Sequence, residues 1–206
     1  MRLAAGLFAL LFAGIALLVA GDSPLLAIDR TVNPALAGLG GPALVPLFQA
    51  ISAMAGGVAT GVLAGVAALA FWAKGFKRAV LGLALAWAGS IGTIVVVKPL
   101  VARARPEPLA GIVETGLSFP SGSTTLAAGV YGVIALLLAR TCRTGACRWM
   151  LALAALAVVV LVGLSRLALG VHYLSDVVAG ALAGGVWALI GALAAGAPRP
   201  RAPRSR

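Results

Sequence analysis

Residues 149–167 read W-M-L-A-L-A-A-L-A-V-V-V-L-V-G-L-S-R-L, a run whose one charge, Arg166, falls next to its end. An apolar stretch of about 20 residues is long enough to cross the hydrocarbon core of a bilayer as a helix. Five further stretches read the same way: about Leu3–Ala20, Leu44–Trp72, Arg78–Val101, Ser121–Ala139 and Tyr173–Ala195. Leu44–Trp72 is longer than a perpendicular span requires, so it is expected to tilt or to begin as an interfacial segment. The composition agrees, with 62% hydrophobic and 10% charged residues and a mean hydropathy of +1.09 over 206 residues. Soluble domains carry about 25% charged and about 45–50% apolar residues. The expected fold is all-α, a polytopic membrane bundle of six transmembrane helices over 1–197, followed by a basic tail over 198–206.

Six spans place both termini on one side, and the charges say which. Arg2, Lys74, Lys77, Arg78, Arg140, Arg143, Arg148, Arg199, Arg201, Arg204 and Arg206 fall on one face without a single acid. The other face receives Arg30, Lys98, Arg103, Arg105 and Arg166 with all five acids, Asp22, Asp29, Glu107, Glu114 and Asp176. Cytoplasmic loops carry an excess of Lys and Arg, so both termini are expected in the cytoplasm. The net charge of +11 is thereby explained without a nucleic-acid partner. The proline-broken tail P-R-P-R-A-P-R-S-R suits contact with anionic headgroups. Arg2 and the apolar run after it look like a signal peptide, but the run is long and Leu18-Val19-Ala20 offers no clean cleavage site; an uncleaved first helix is expected. Cys142 and Cys147, in a basic loop, are too few for a zinc site. On the cytoplasmic side they are expected to be reduced thiols. Gly57, Gly61 and Gly65, and Gly180 and Gly184, recur at four-residue spacing, which favours close helix packing inside the bundle.

The outer face holds the polar residues that suggest chemistry. Lys98 to Ser121 begins K-P-L-V-A-R-A-R-P and ends S-F-P-S, with G-S-T-T following; Ser165 to Asp176 reads S-R-L-A-L-G-V-H-Y-L-S-D. Ionisable residues near membrane depth are expensive and are candidates for function. Lys98, Arg105 and Arg166 would surround one point with three cations, which suits a phosphate dianion. Ser121 and Gly122 follow Pro120 at a helix start, where free amides and the helix dipole bind phosphate oxygens. His172 and Asp176 are four apart, so they share one helix face. A carboxylate there can hold Nδ1–H and leave Nε2 free as a nucleophile. The blander readings are interfacial snorkelling for the cations, preferred for Arg103, and a simple N-cap for Pro-Ser-Gly. The conjunction on one face outweighs them. Gln49 and a few hydroxyls are the main polar groups along the spans, so no transmembrane polar path suggests a transporter.

K-x6-R-P over Lys98–Pro106, P-S-G over Pro120–Gly122 and S-R-x5-H-x3-D over Ser165–Asp176, in that order, resemble the three signature motifs of the type 2 phosphatidate phosphatase superfamily, which also includes bacterial acid phosphatases and vanadium haloperoxidases. Three separated motifs with matching internal spacing are far more specific than one short pattern. The resemblance implies that Lys98, Arg105 and Arg166 bind phosphate oxygens, with Ser121 and Gly122 adding hydrogen bonds. It further implies that His172 attacks phosphorus to form a phosphohistidine, that Asp176 orients His172, and that neither metal nor cofactor takes part. The expected substrate partners are lipid phosphates or diphosphates within a membrane.

The family's second motif normally continues P-S-G-H, and here the fourth position is Ser123. The missing histidine is the family's general acid, and the chain has one histidine in all. Three readings compete: a variant working without the acid, a non-catalytic lipid-phosphate-binding relative, and an inactivated form. Acid catalysis contributes about 10²–10⁴-fold, most for a basic alkoxide. A departing phosphate, with a second pKa of about 6, leaves without a proton. The expected activity is therefore hydrolysis of a lipid (polyprenyl) diphosphate in preference to phosphatidate, at the outer face of the plasma membrane; the alternatives are a lipid phosphotransferase and the impaired relative. Glu107 and Glu114 are considered as substitute acids but read as solvated loop residues, and Ser123 as a cap of the fourth span. The Ala, Gly and Arg bias suggests a bacterium with a GC-rich genome.

Overall fold

The computed structural model describes residues 1–21, 23–39, 41–107 and 112–196; Asp22 and the basic tail over 198–206 lie outside them. The elements in order are α1 (Arg2–Ala20), α2 (Pro24–Leu36), a 3₁₀ turn (Pro42–Leu44) leading into α3 (Val45–Ala53), α4 (Gly57–Ala73) and α5 (Lys77–Val101). Then follow α6 (Gly122–Leu126), a π-helical turn (Ala127–Tyr131), α7 (Gly132–Ala139), α8 (Gly145–Ala168) and α9 (Leu174–Ala195). Five helices are long and apolar enough to cross a membrane, with α6, the π turn and α7 counting as one. The bent pair Pro42–Ala53 and Gly57–Ala73 makes a sixth only if it is one span, and its halves meet at 47°. The long Leu44–Trp72 stretch is thus a broken helix, interrupted at residues 54–56, where Gly56 and Gly57 weaken helix propensity.

α9 is the hub, packing against α1, α5, α6, α7 and the π turn. Small residues make that closeness possible. A Cβ added at Gly180 would lie 2.7 Å from the Ser121 carbonyl oxygen, and one at Gly184 would lie 2.2 Å from that of Thr125. The sequence spacing foretells these two contacts, and Gly61 likewise meets the Trp87 ring, whereas Gly65 faces open space. Leu83, Ala86, Val133 and Ala188 fill the space between α5, α7 and α9. Leu3, Val58, Trp149 and Met150 point outward and are exposed. An apolar outside around a tightly packed inside is what a lipid solvent favours.

Two features depart from the sequence reading. α2 is a helix where none was expected; Ser23 precedes it and Pro24 occupies its first turn, where the missing N–H of proline is harmless. Cys142 and Cys147 are joined by a disulfide rather than standing as two thiols. The expectation rested on compartment alone. The tight loop between α7 and α8 brings the two Cα atoms to 5.8 Å, within ordinary bridging distance.

Candidate active site

Four segments meet at one end of the bundle. α5 ends with Ala102 in the left-handed region, at φ 50°, which turns the chain back so that Arg103 and Arg105 reach over the bundle. The segment before α6 brings in Glu114 and Ser121, α8 ends on Arg166, and the short α8–α9 turn carries His172. Asp176 is the third residue of α9, and its Oδ2 accepts from the Tyr173 backbone N–H at 2.9 Å. A carboxylate at that position also complements the positive end of the helix dipole.

The His172 imidazole is 2% exposed. Its Nδ1 faces Asp176 Oδ2 at 3.4 Å, and its Nε2 lies 3.1 Å from Arg105 Nη1. A guanidinium only donates, so Nε2 must accept and the proton sits on Nδ1, toward the carboxylate. Burial pushes the imidazole down to about 4; Asp176 opposes this, while Arg166 and Arg105 add to it. His172 is therefore neutral at pH 7 with a lone pair on Nε2.

Arg105 also donates to the Val171 carbonyl oxygen at 2.8 Å and, from Nε, to that of Gly116 at 3.1 Å. Its Nη2 pairs with Glu114 Oε2 at 3.2 Å. Arg166 donates to Ser52 Oγ of α3 at 2.6 Å and from Nη2 to Glu114 Oε1. Arg166 Nε is buried without a partner among the described residues. Lys98 donates to the Leu117 carbonyl oxygen. Two arginines thus present a forked set of donors to one anion beside an imidazole lone pair, and the anion now held there is a carboxylate. Burial works to raise the Glu114 pKa, but the Arg166 hydrogen bond and both arginine charges win and hold it below the ordinary carboxylate range.

Several expectations change. Glu114 is not a solvated loop residue, since it bridges Arg105 and Arg166; Glu107 does stay exposed. Arg103 is not a snorkelling cation either, being paired with Asp29 and Asp176 at 2.7 Å each. Ser121 is buried and caps α6 by position; its N–H donates to the Asp176 carbonyl oxygen at 3.0 Å and its hydroxyl is tied to Thr124. Ser123 sits inside the first turn rather than at the cap. The amides of Gly122 and Ser123 belong to a first turn, whose donors have no intrahelical acceptor. Among the described residues no three His, Cys, Asp or Glu side chains gather where a metal could be held. Asp29, Asn33 and Ser52 join the site without standing out in the sequence, and Arg103 joins it in a role the sequence did not suggest. Asp29 and Asn33 share a helix-like spacing of four, the one sign that could have flagged them.

The family model described as "PAP2 superfamily" matches residues 78–199. Phosphatidylglycerophosphatase B of Bacillus subtilis (strain 168) is 40% identical over 86 residues, 41% of this chain and 42% of the relative; the match spans less than half the length of that curated protein. The crystal structure of a transmembrane PAP2-type phosphatidylglycerolphosphate phosphatase from Bacillus subtilis superposes with a TM-score of 0.81, at 26% identity over 91% of this chain and 93% of that one. Aquifex aeolicus LpxE gives 0.56, at 25% identity over 81% and 93%. With the family model matched over more than half of its length, the chain belongs to the PAP2 superfamily.

Proposed function

We propose that this protein is a membrane lipid phosphatase that cleaves a lipid phosphate, with a polyprenyl diphosphate preferred, through a phosphohistidine at His172. One observation carries the reading: Arg105 and Arg166 hold an anion by both oxygens, and Arg105 also touches His172 Nε2. A phosphoryl group entering this cradle displaces the Glu114 carboxylate and comes to rest against the nucleophile. Lys98, the Arg166 Nε and the first amides of α6 supply further donors to its oxygens. Such preorganised donors stabilise the charge that develops in phosphoryl transfer.

Nε2 then attacks phosphorus, an N–P bond forms and the bond to the leaving oxygen breaks. Asp176 keeps the Nδ1 proton and stabilises the positive charge that develops on the ring. Water next attacks phosphorus, the N–P bond breaks, and inorganic phosphate and neutral His172 are regenerated. From a diphosphate the leaving group is a lipid phosphate, which departs unprotonated, so Ser123 suffices where the family has its acid. The charge asymmetry supports a site facing the periplasm or exterior of a plasma membrane, with both termini cytoplasmic.

The test is phosphate release by detergent-purified protein in EDTA, comparing the natural chain with Ser123→His and His172→Ala. Turnover lost only in His172→Ala is the expected result. Turnover appearing only in Ser123→His identifies a disabled enzyme, and none in any form, with lipid diphosphate and phosphatidate both offered, removes the phosphatase reading.

A further inference from the structure

Helix α2 lies before all three motifs, yet its polar face is buried against the site. Asp29 is 1% and Asn33 8% exposed. Asn33 Nδ2 donates to the His172 carbonyl oxygen at 2.9 Å, and its Oδ1 accepts from the Leu174 N–H at 3.2 Å. Asp29 Oδ1 accepts from the Ser175 N–H at 3.0 Å. The remaining Asp29 oxygen pairs with Arg103 Nη2 at 2.7 Å, while Arg103 Nη1 pairs with Asp176 Oδ1 at 2.7 Å. The face of this guanidinium stacks over the Tyr173 ring, 3.9 Å from its centroid. α2 therefore grips the backbone from His172 to Ser175 and, through one arginine, the carboxylate partner of His172.

We propose that Asp29, Arg103 and Asn33 are positioning residues for the catalytic pair: Arg103, locked between two carboxylates, fixes Asp176, and so fixes the tautomer and aim of His172. The division of labour on Asp176 is the physical argument. Oδ1 is taken by Arg103, which leaves Oδ2 for the Tyr173 N–H and His172 Nδ1. Without Arg103 the carboxylate is free to rotate and both oxygens compete for the ring. A planar, bidentate guanidinium suits this task in a way a lysine does not. A buried arginine between two acids also leaves one net negative charge beside the imidazole, which favours the proton on Nδ1. The role in turnover rests on the phosphatase reading above; the geometry of His172 does not.

The charged groups acting directly on His172 include Arg105 from the segment after α5 and Glu114 from the segment before α6; Asp29 of α2 and Arg103 bear on it through Asp176, and Lys98 of α5 interacts with Arg105, Asp176 and Glu114. Arg166 of α8 and Asp176 of α9 complete the set. Removing one of either sign has opposite consequences. Asp29→Asn deletes a negative charge and lowers the His172 titration midpoint; Arg103→Gln deletes a positive charge and raises it. Because His172 is the chain's one histidine, protein labelled with [¹⁵N]histidine in detergent micelles reports its tautomer and titration directly. The expected result is displacement in opposite directions, with loss of the Nδ1–H preference in Arg103→Gln. No displacement, or displacement of both variants in one direction as general loosening would give, overturns the proposal. Asp29→Asn is isosteric and serves where Arg103→Gln fails to fold: a rise or no change in its midpoint is then sufficient to reject. In turnover, Asp29→Asn and Arg103→Lys are expected to lose kcat on the order of 10²-fold, the scale of a small misplacement of a reacting group, at unchanged KM. A raised KM at unchanged kcat overturns the proposal, since it assigns these residues to substrate binding. Should no lipid be turned over by the natural chain, the phosphatase reading falls, while the His172 resonances still decide this one.

Discussion

Arg105 Nη1 lies 3.1 Å from His172 Nε2, so the proposed phosphate-binding cation and the proposed nucleophile are direct neighbours. Because arginine cannot accept, this contact selects the neutral imidazole whose Nε2 lone pair accepts from Arg105. Burial of the ring sets the pH dependence, with Arg166 and Arg105 adding to it. The His172 pKa lies below its unfolded value, at about 4, so the nucleophile is in its attacking form above that pH and is lost as the pH falls through it. The acid limb of kcat/KM, corrected for a substrate ionisation of about 6, is expected near 4. A histidine limb near the ordinary value of about 6.5 would refute this.

Glu114 occupies the cradle proposed for a substrate phosphate, bridging Arg105 and Arg166. Apparent affinity is scaled down to the fraction of molecules whose cradle is open. Glu114→Gln removes the competing charge, so vanadate or inorganic phosphate should inhibit at concentrations lower by about 10-fold, with kcat retained. If Glu114 instead donates a proton to the leaving group, the same substitution collapses kcat, most of all for phosphatidate.

Ser123 makes the leaving group decisive. An alkoxide departs poorly without acid assistance worth about 10²–10⁴-fold, whereas a phosphate needs none. Turnover of a polyprenyl diphosphate should exceed that of phosphatidate by about that factor, and Ser123→His should narrow the gap by accelerating phosphatidate alone. Faster hydrolysis of phosphatidate by the natural chain would reject the preference.

The α7–α8 loop tests the proposed orientation. Excess Arg beside it argues for the cytoplasm, while the disulfide between Cys142 and Cys147 belongs to an oxidising compartment. We expect the charges to prevail. In Cys142→Ser, Cys147 is the lone thiol, and a membrane-impermeant maleimide should label it only after the cells are permeabilised. Labelling in intact cells would reverse the topology and place the His172 site inside.

The spans and the three motifs were legible because each is a local property. An apolar run of some 20 residues declares a span wherever it packs, and His172 and Asp176 meet simply by lying one helical turn apart. Polar side chains with distant partners leave no such trace. Asp29 reaches Ser175 across 146 positions, Asn33 reaches His172 across 139, and Arg166 reaches Ser52 across 114. Arg103 reads as a snorkelling cation because it flanks the end of a span, and Glu114 as solvated because it lies in a loop. The break between α3 and α4 was invisible too, since hydropathy is blind to a change of direction.

The sequence by itself therefore determined that this chain is a helical membrane protein carrying the phosphate-site motifs, because the hydrophobic period and motif spacing act over one helix at a time. Only the tertiary structure decided which anion lies between Arg105 and Arg166 and which residues hold His172 and Asp176. Those answers depend on how α2, α3, α5, α8 and α9 converge, and on the burial that forces every charge among them to find a partner.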